Sequence, residues 1–395
     1  PHMEYPLSGL KVLYFSRVLS GPFAGRLLCD LGADVVKVEP PEGDITRYWG
    51  EVIGNIPGYF NQQNAGKRNI CVDLRAPGAV DLIADLVREA DIVIENYRPD
   101  VMPRLGLGYE QMKAFNPRII MLSISGFGSG GSESRRPAYA PVIHAEAGLI
   151  ARQTTRTGND YADYPISIAD TNASLHGLVG VLSAVIMRDR TGEGQHIDMA
   201  MIDATVATDD QLVYDIEGSH ATGPLPNDVW KTPIGPVLLS TDFRFLWRNI
   251  TTDYGIEDPA TSDMPLEEKI RLRRAATAEF MMTLTTREAV TELMERYNIP
   301  WGDVREGAVM AEQTTLRERG SIIDIDDRAG GTRPVMQSPY HFSNAKSGIR
   351  GGAPHQGEHN QEVMSEWLGR SDDDVDQLRS SGVLLTDERD ERKNS

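Results

Sequence analysis

Cysteine is scarce in this chain: Cys29 and Cys71 are the only two among 395 residues. That excludes a disulfide framework and any Cys-pair zinc spacing. It also predicts a reducing, cytoplasmic setting. Long apolar runs are missing as well. The longest, around 178–187, is about half of the roughly 20 residues that a membrane helix needs, so no membrane association is expected. Pro1-His2-Met3 reads as an expression scar, and no secretory leader is expected after it. An excess of basic residues is absent too. Lys and Arg number 40 against 58 Asp and Glu, a formal net charge of −18. That argues against a general nucleic-acid binder, whose surface would be basic. A phosphorylated ligand held by a local cationic cluster remains compatible.

What the chain does contain is a repeated beat of strand and helix. KVLYFS (11–16) reads as a strand, GPFAGRLLCDLGA as a helix, and DVVKVEPP as a strand stopped by two prolines. NICVDL, DIVIEN, RIIMLSIS and GQHIDMAM read as further strands. AVDLIADLVREA reads as a helix with apolar residues at Val80, Leu82, Ile83, Leu86 and Val87. This alternation predicts an α/β protein with an open, Rossmann-like, mostly parallel sheet. The beat ends near residue 217, where EGSHATGPLPND carries the punctuation of a linker. From there to about 320 the pattern is mostly helical, with Thr285 or Thr286 starting one helix. SIIDIDD and RPVMQSPYHFS read as strands again, followed by short helices and a charged tail from Ser371 whose last ten or so residues are expected to fray. The expected organisation is therefore a large domain over 4–216, a smaller, mainly helical one over 217–320, and a return to the large domain over 321–395.

Two motifs look informative and fail on context. GFGSGG (126–131) fits a dinucleotide fingerprint, but no helix opens on it. A Gly-rich loop over an active site is the better reading. HQGEH (355–359) fits an inverted zinc motif, but Pro354 and Gly357 break the helix that the motif requires. It reads as a loop docking the C-terminal helix, and no metal site is expected.

One carboxylate stands out. In YPISIADTNASLHGLVGVL (164–182), Asp170 stands where a buried strand is expected to run into a helix over about 171–188. Ile166, Ile168, Leu175, Leu178, Val179, Val181 and Leu182 read as its core residues. Taken alone, Asp170 reads first as a helix cap, worth about 1 kcal/mol; a nucleophile is the alternative that its neighbours bring into play. Cations recur at strand ends and in the loops beside them: Lys37, Lys67, Arg68, Arg98 and Arg104. In an open parallel sheet, ligands bind at the carboxyl ends of the strands, and Lys and Arg there suit phosphate groups.

The order of segments is specific. VLSGPFAGRLLCDLGADVVKVEPPEGD, NAGKRNICVDL, VIENYRPDVMPRLGLGYE, SISGFGSGG, RPAYAPVIHAEAGL and TGEGQHIDMAMID follow one another over about 7–216, and YNIPWGDVRE and APHQGEHNQEV come later. Together they resemble the class III CoA-transferase family, which includes formyl-CoA transferase, carnitine CoA-transferase and alpha-methylacyl-CoA racemase. In that resemblance ADTNASLHG matches the segment of the catalytic aspartate, and Asp170 falls on its position. It implies attack of Asp170 on an acyl-CoA thioester, an aspartyl anhydride, an aspartyl-CoA thioester, and transfer of CoA to a free carboxylic acid. Coenzyme A is then a substrate, and no permanently bound cofactor or metal is needed. The resemblance also implies that Lys37, Lys67, Arg68, Arg98 and Arg104 contact CoA, that Val18 and Leu19 line the thioester end, and that two chains form an interlocked homodimer.

Some positions depart from the family pattern. Leu19 falls where many transferases carry Gln, Ala140 replaces an Asp, and His144 stands where a Gln is common. The glycine run of oxalate-type enzymes is missing, which disfavours oxalate as acceptor. Tyr139 and His144 are the candidate pocket residues. They also carry the alternative reading, a 2-methylacyl-CoA racemase using a His and an Asp as paired acid and base. Tyr139 is where the racemase His would align, and His144 is either a second base or a hydrogen-bonded pocket residue.

Overall fold

The computed structural model describes residues 4–219 and 226–386. The scar at 1–3, part of the expected linker (220–225) and the tail from 387 onward lie outside the described residues. Two units emerge, Pro1–Asp209 with Thr314–Ser395, and Asp210–Gln313.

The larger unit is built on a seven-stranded sheet. Its strands, in chain order, are β1 (Lys11–Tyr14), β2 (Asp34–Glu39), β3 (Arg68–Val72), β4 (Ile92–Glu95), β5 (Ile120–Ser125), β6 (His196–Ala200) and β7 (Leu384–Leu385). The spatial order is β7-β3-β2-β1-β4-β5-β6. The first six strands are parallel, with Tyr14 opposite both Lys37 and Ile94, and Leu122 opposite both Ile94 and Ile197. Only β7 runs antiparallel, pairing Leu384 with Val72 at the edge. The sequence pattern did not show β7, because a two-residue strand has no periodicity to read.

Alternation along the strands divides the core. Leu13, Val36, Ile70, Val93 and Met121 face helix Ala79–Glu89 and helix Asn360–Leu368. Val12, Tyr14, Val35, Ile94 and Leu122 face helices Ser20–Asp30 and Ile168–Thr191. Covering both faces requires strands that are apolar throughout, which is why they read as continuous runs. The long helix comes close to the sheet at Gly177, where an added Cβ would lie 2.8 Å from Leu122 Cδ2.

Three expectations need correction. Residues 164–167 form no strand, and the helix starts at Ile168. Leu178 and Val181 are buried, but Ile166, Leu175 and Val179 are exposed, at 58%, 43% and 63%. An apolar residue on a long helix does not reveal which side meets the sheet. The smaller unit is also less helical than expected. Helices Phe243–Tyr254, Leu266–Met281 and Arg287–Arg296 accompany a three-stranded antiparallel sheet of Asp228–Thr232, Gly235–Leu239 and Trp301–Asp303. Thr286 does cap its helix, accepting from the Ala289 amide. The acidic stretch after Ser371 opens with a helix, Asp372–Ser380, held by a Ser371/Asp374 capping box, in keeping with the short helices expected there, and the end expected to fray lies outside the described residues from 387 onward. No helix among the described residues is long and apolar enough to cross a membrane.

Candidate active site

The six parallel strands follow the order 3-2-1-4-5-6, so the chain reverses direction across the sheet between β1 and β4. A crevice opens outside the carboxyl ends of strands at such a point. Here a cavity of about 300 Å³ lies there. β1 contributes Arg17, Val18 and Ser20 beyond its end, β4 contributes Asn96, Tyr97 and Arg98, and β5 contributes Ser125 and Gly126. Asp170 and Tyr139 complete the wall. A second cavity of about 190 Å³, beyond the ends of β1, β2 and β3, shares Arg17, Tyr97 and Val101 with the first. The two cavities adjoin along the carboxyl ends of the strands, with these three residues between them.

Asp170 lies in the first turn of its helix but does not cap it. Ser167 occupies the cap position, and its side chain makes no cap bond. The Asp170 carboxylate has no hydrogen-bond or ion-pair partner among the described residues, and burial pushes its pKa up to about 7. A carboxylate without donors is poorly solvated and correspondingly reactive. Its charge also reaches Tyr59, whose phenol is raised to about 12 by burial first and by Asp170 and Asp44 second. The amide of Thr171 is taken by the Ser167 carbonyl at 3.1 Å. The amide of Asp170 itself has no protein acceptor among the described residues.

His144 is fully buried, at 0% exposure. It lies on helix Ala140–Glu146, whose cap position is Tyr139. Its Nε2 accepts the Ala169 amide at 3.1 Å, which leaves Nδ1 to donate to Asp163 Oδ1 at 2.7 Å. Both ring nitrogens are therefore occupied, and the ring is absent from the cavity lining. It cannot take a proton from a ligand facing Asp170. Tyr139 does line the cavity, and the residue is 63% exposed.

The five predicted cations separate. Arg98 lines the Asp170 cavity and Lys37 lines the second one. The Lys37 ammonium is buried, donating to Ser16 O at 2.8 Å and to Asp44 Oδ2 at 3.0 Å. Asp44 in turn faces the Val18 amide, and Val18 is held at φ 68, a strained conformation for a β-branched residue. Lys67 lines neither cavity. It is buried behind β1, donating to Tyr14 Oη, Pro22 O and Asn64 Oδ1, and burial lowers its pKa well below the usual lysine range. Arg68 fastens Asp34 to Glu362 and Glu366 of a C-terminal helix. Arg104 pairs with Asp100 on the surface. Leu19 is buried at the start of helix Ser20–Asp30, and the residues on either side of it, Val18 and Ser20, line the cavity instead.

Arg17 was not anticipated, although it directly follows the first strand and the strand-end rule applies to it. Neither Arg17 nor Arg98 has a carboxylate partner among the described residues, and both are exposed. The Arg17 guanidinium stands 5.9 Å from the centre of the Tyr97 ring. Arg136, also in the wall, is paired with Glu133 and Glu146.

The glycine loop contributes Gly126 to the cavity and runs through turns at Gly128 and Gly130 before Ala140 opens the next helix. The HQGEH segment is a clasp. His355 bonds to Gly54 O, His359 Nδ1 accepts the Asn69 amide, and Glu358 pairs with Arg328.

Comparison with known proteins shows which family the chain resembles over most of its length. Residues 7–360 match the family model described as CoA-transferase family III. The chain is 31% identical over 389 residues to a succinate–glutarate CoA-transferase of Agrobacterium fabrum, covering 93% of this chain and 96% of that one. It is 29% identical to the beta subunit of a succinyl-CoA–L-malate CoA-transferase of Chloroflexus aurantiacus, covering 96% and 98%. A crystal structure of a CAIB/BAIF family protein from Brucella suis superposes with a TM-score of 0.79 at 30% identity, covering 93% of this chain and all of that one.

Proposed function

Since this chain belongs to CoA-transferase family III and is an enzyme of acyl-CoA metabolism, we propose that it moves CoA between carboxylic acids through covalent intermediates on Asp170. The observation that carries this reading is the Asp170 carboxylate itself, set in the cleft wall without a protein partner. An Asp170 oxygen attacks the thioester carbonyl, the C–S bond breaks, and CoA leaves as thiolate. The thiolate attacks the Asp170 carbonyl of the resulting anhydride, releasing the donor carboxylate and leaving an aspartyl-CoA thioester. The acceptor carboxylate attacks that thioester, and the thiolate then attacks the acceptor's carbonyl, freeing Asp170. The unpaired Asp170 amide suits the oxyanion of these steps.

The names of the relatives support a short dicarboxylic acid as one substrate. Arg17 and Arg98 suit the phosphates of CoA or a distal carboxylate. If they hold the phosphates, Arg98→Ala raises the KM for acyl-CoA about tenfold with kcat little changed, because such contacts serve ground and transition states alike. A fall in kcat at constant KM would refute that assignment. The exposed Leu175, Val179, Ile186 and Met187 suit contact with a second copy of the chain, and molar mass in solution tests the homodimer. Paired acid–base racemisation has less support, because His144 has no free nitrogen.

The test is intact-protein mass spectrometry after incubation with short acyl-CoAs and hydroxylamine. A hydroxamate on Asp170, absent from Asp170→Ala, is expected. No modification with any donor that turns over would sink the covalent mechanism.

A further inference from the structure

The helix that carries Asp170 begins without a side-chain cap of its own. The first amides of a helix have no intrahelical acceptor and need one from elsewhere. Ser167 supplies none from its side chain. The Thr171 amide goes to Ser167 O and the Ile168 amide to Ile166 O. The Ala169 amide, in the residue before Asp170, goes to His144 Nε2 at 3.1 Å. The acceptor thus comes from another helix, 25 residues earlier in the chain. An amide can only donate, so Nε2 must present its lone pair and the proton must sit on Nδ1. Asp163 accepts that proton at 2.7 Å, holding the tautomer that caps the helix. The Tyr164 ring stands edge-on to the imidazole, with the ring centres 6.1 Å apart.

We propose that His144, oriented by Asp163, is a positioning residue for catalysis: it caps the helix through the Ala169 amide and thereby sets the Asp170 carboxylate in the cleft. The inference rests on Asp170 being the nucleophile, and on no contact between His144 and substrate. The same helix that carries His144 starts at Tyr139 in the cavity wall, so one element fixes both sides of the pocket. The capping geometry also dictates which side chains could replace the histidine. The Nε2 of His and the Oε1 of Gln are both three bonds from Cβ, and both can accept an amide proton. Asn reproduces only the other side of the ring, the donor to Asp163.

This predicts opposite outcomes for two polar substitutions at one buried position. His144→Gln keeps the cap and loses the Asp163 bond. His144→Asn keeps the Asp163 bond and loses the cap. Misplacing a reacting group by about 1 Å costs on the order of 100-fold in rate. His144→Asn is therefore expected to lower kcat by about 10- to 100-fold with the KM for acyl-CoA within about threefold of wild type, and His144→Gln to recover most of that loss. Amide hydrogen exchange over 165–172 is the second readout. It is expected to rise in His144→Asn and to stay near wild type in His144→Gln, with thermal unfolding recorded for both to confirm that each is folded.

Equal kcat in the two variants, or exchange that does not follow the cap, would overturn the positioning role. Failure of the underlying mechanism looks different. In that case wild type forms no Asp170 adduct, while exchange still separates the Asn from the Gln variant.

Discussion

Asp170→Asn is expected to lower the rate of CoA transfer by at least about 10³-fold, the scale seen when an enzyme loses its nucleophile. It is also expected to make the protein more stable at pH 8. The two effects have one origin. Burial raises the Asp170 pKa to about 7 with no donor to oppose it. The folded-state value therefore lies above the unfolded one, which is near 4. Between those values the native state binds more protons than the unfolded state, so stability falls as pH rises through the window and is fully reduced above about pH 7. The difference between a carboxyl at about 4 and one at about 7 corresponds to about 4 kcal/mol. The side chain still meets solvent in the cleft, so about half of that, ~2 kcal/mol, is the expected gain for the neutral amide. Urea unfolding at pH 8 and pH 4 measures it, and the gain should vanish at pH 4. An equal gain at both pH values would show that Asp170 ionisation is not its cause. On the activity side, the nucleophile is the ionised form, so kcat/KM of the wild type should rise with pH through about 7 and then level off.

Glu39→Ala is expected to be the most damaging change to stability, by about 3–5 kcal/mol, because it strands a buried cation. Glu39 ends β2 with no exposure to solvent. Its two oxygens accept from Arg47 Nε at 2.7 Å and Nη2 at 2.9 Å, from Asn69 Nδ2 at 2.8 Å, and from the Asp44 amide at 3.0 Å. Burial alone would raise its pKa, but Arg47 and these donors hold it below the ordinary carboxylate range. Its stabilisation is thus present above the unfolded value near 4.3 and is lost as pH falls through the lower folded value. Arg47 lies over the Phe60 ring and reaches Pro354 O, so the pair fastens residues 40–47 at the lip of the second cavity. Glu39→Gln retains an acceptor oxygen and should cost less than Glu39→Ala. Denaturant midpoints of the two variants check the order, and equal losses would mean that the charge contributes nothing.

Much of this protein is legible in its sequence. The apolar strands and one-sided helices predict the parallel sheet, because burial on both faces demands that pattern whatever the neighbours are. The strand-end rule places the cleft, and Asp170 stands out as a carboxylate among apolar residues. Other features depend on partners far along the chain. Lys37, Lys67, Arg68 and Arg98 look alike as cations near strand ends, yet only Arg98 reaches the Asp170 cavity. Lys67 is enclosed by Tyr14, Pro22 and Asn64, and Arg68 is drawn to Glu362 and Glu366 almost 300 residues away. In the sequence His144 reads as a base or as a pocket residue, and only the fold brings its two nitrogens against Asp163 and the Ala169 amide. Periodicity reports which side chains must leave water, and so the sequence by itself determined the sheet, its covering helices and the carboxylate at the crevice. Which polar groups remain free for chemistry was decided only by the tertiary structure, because a hydrogen bond has direction and short reach and its partner can come from any part of the chain.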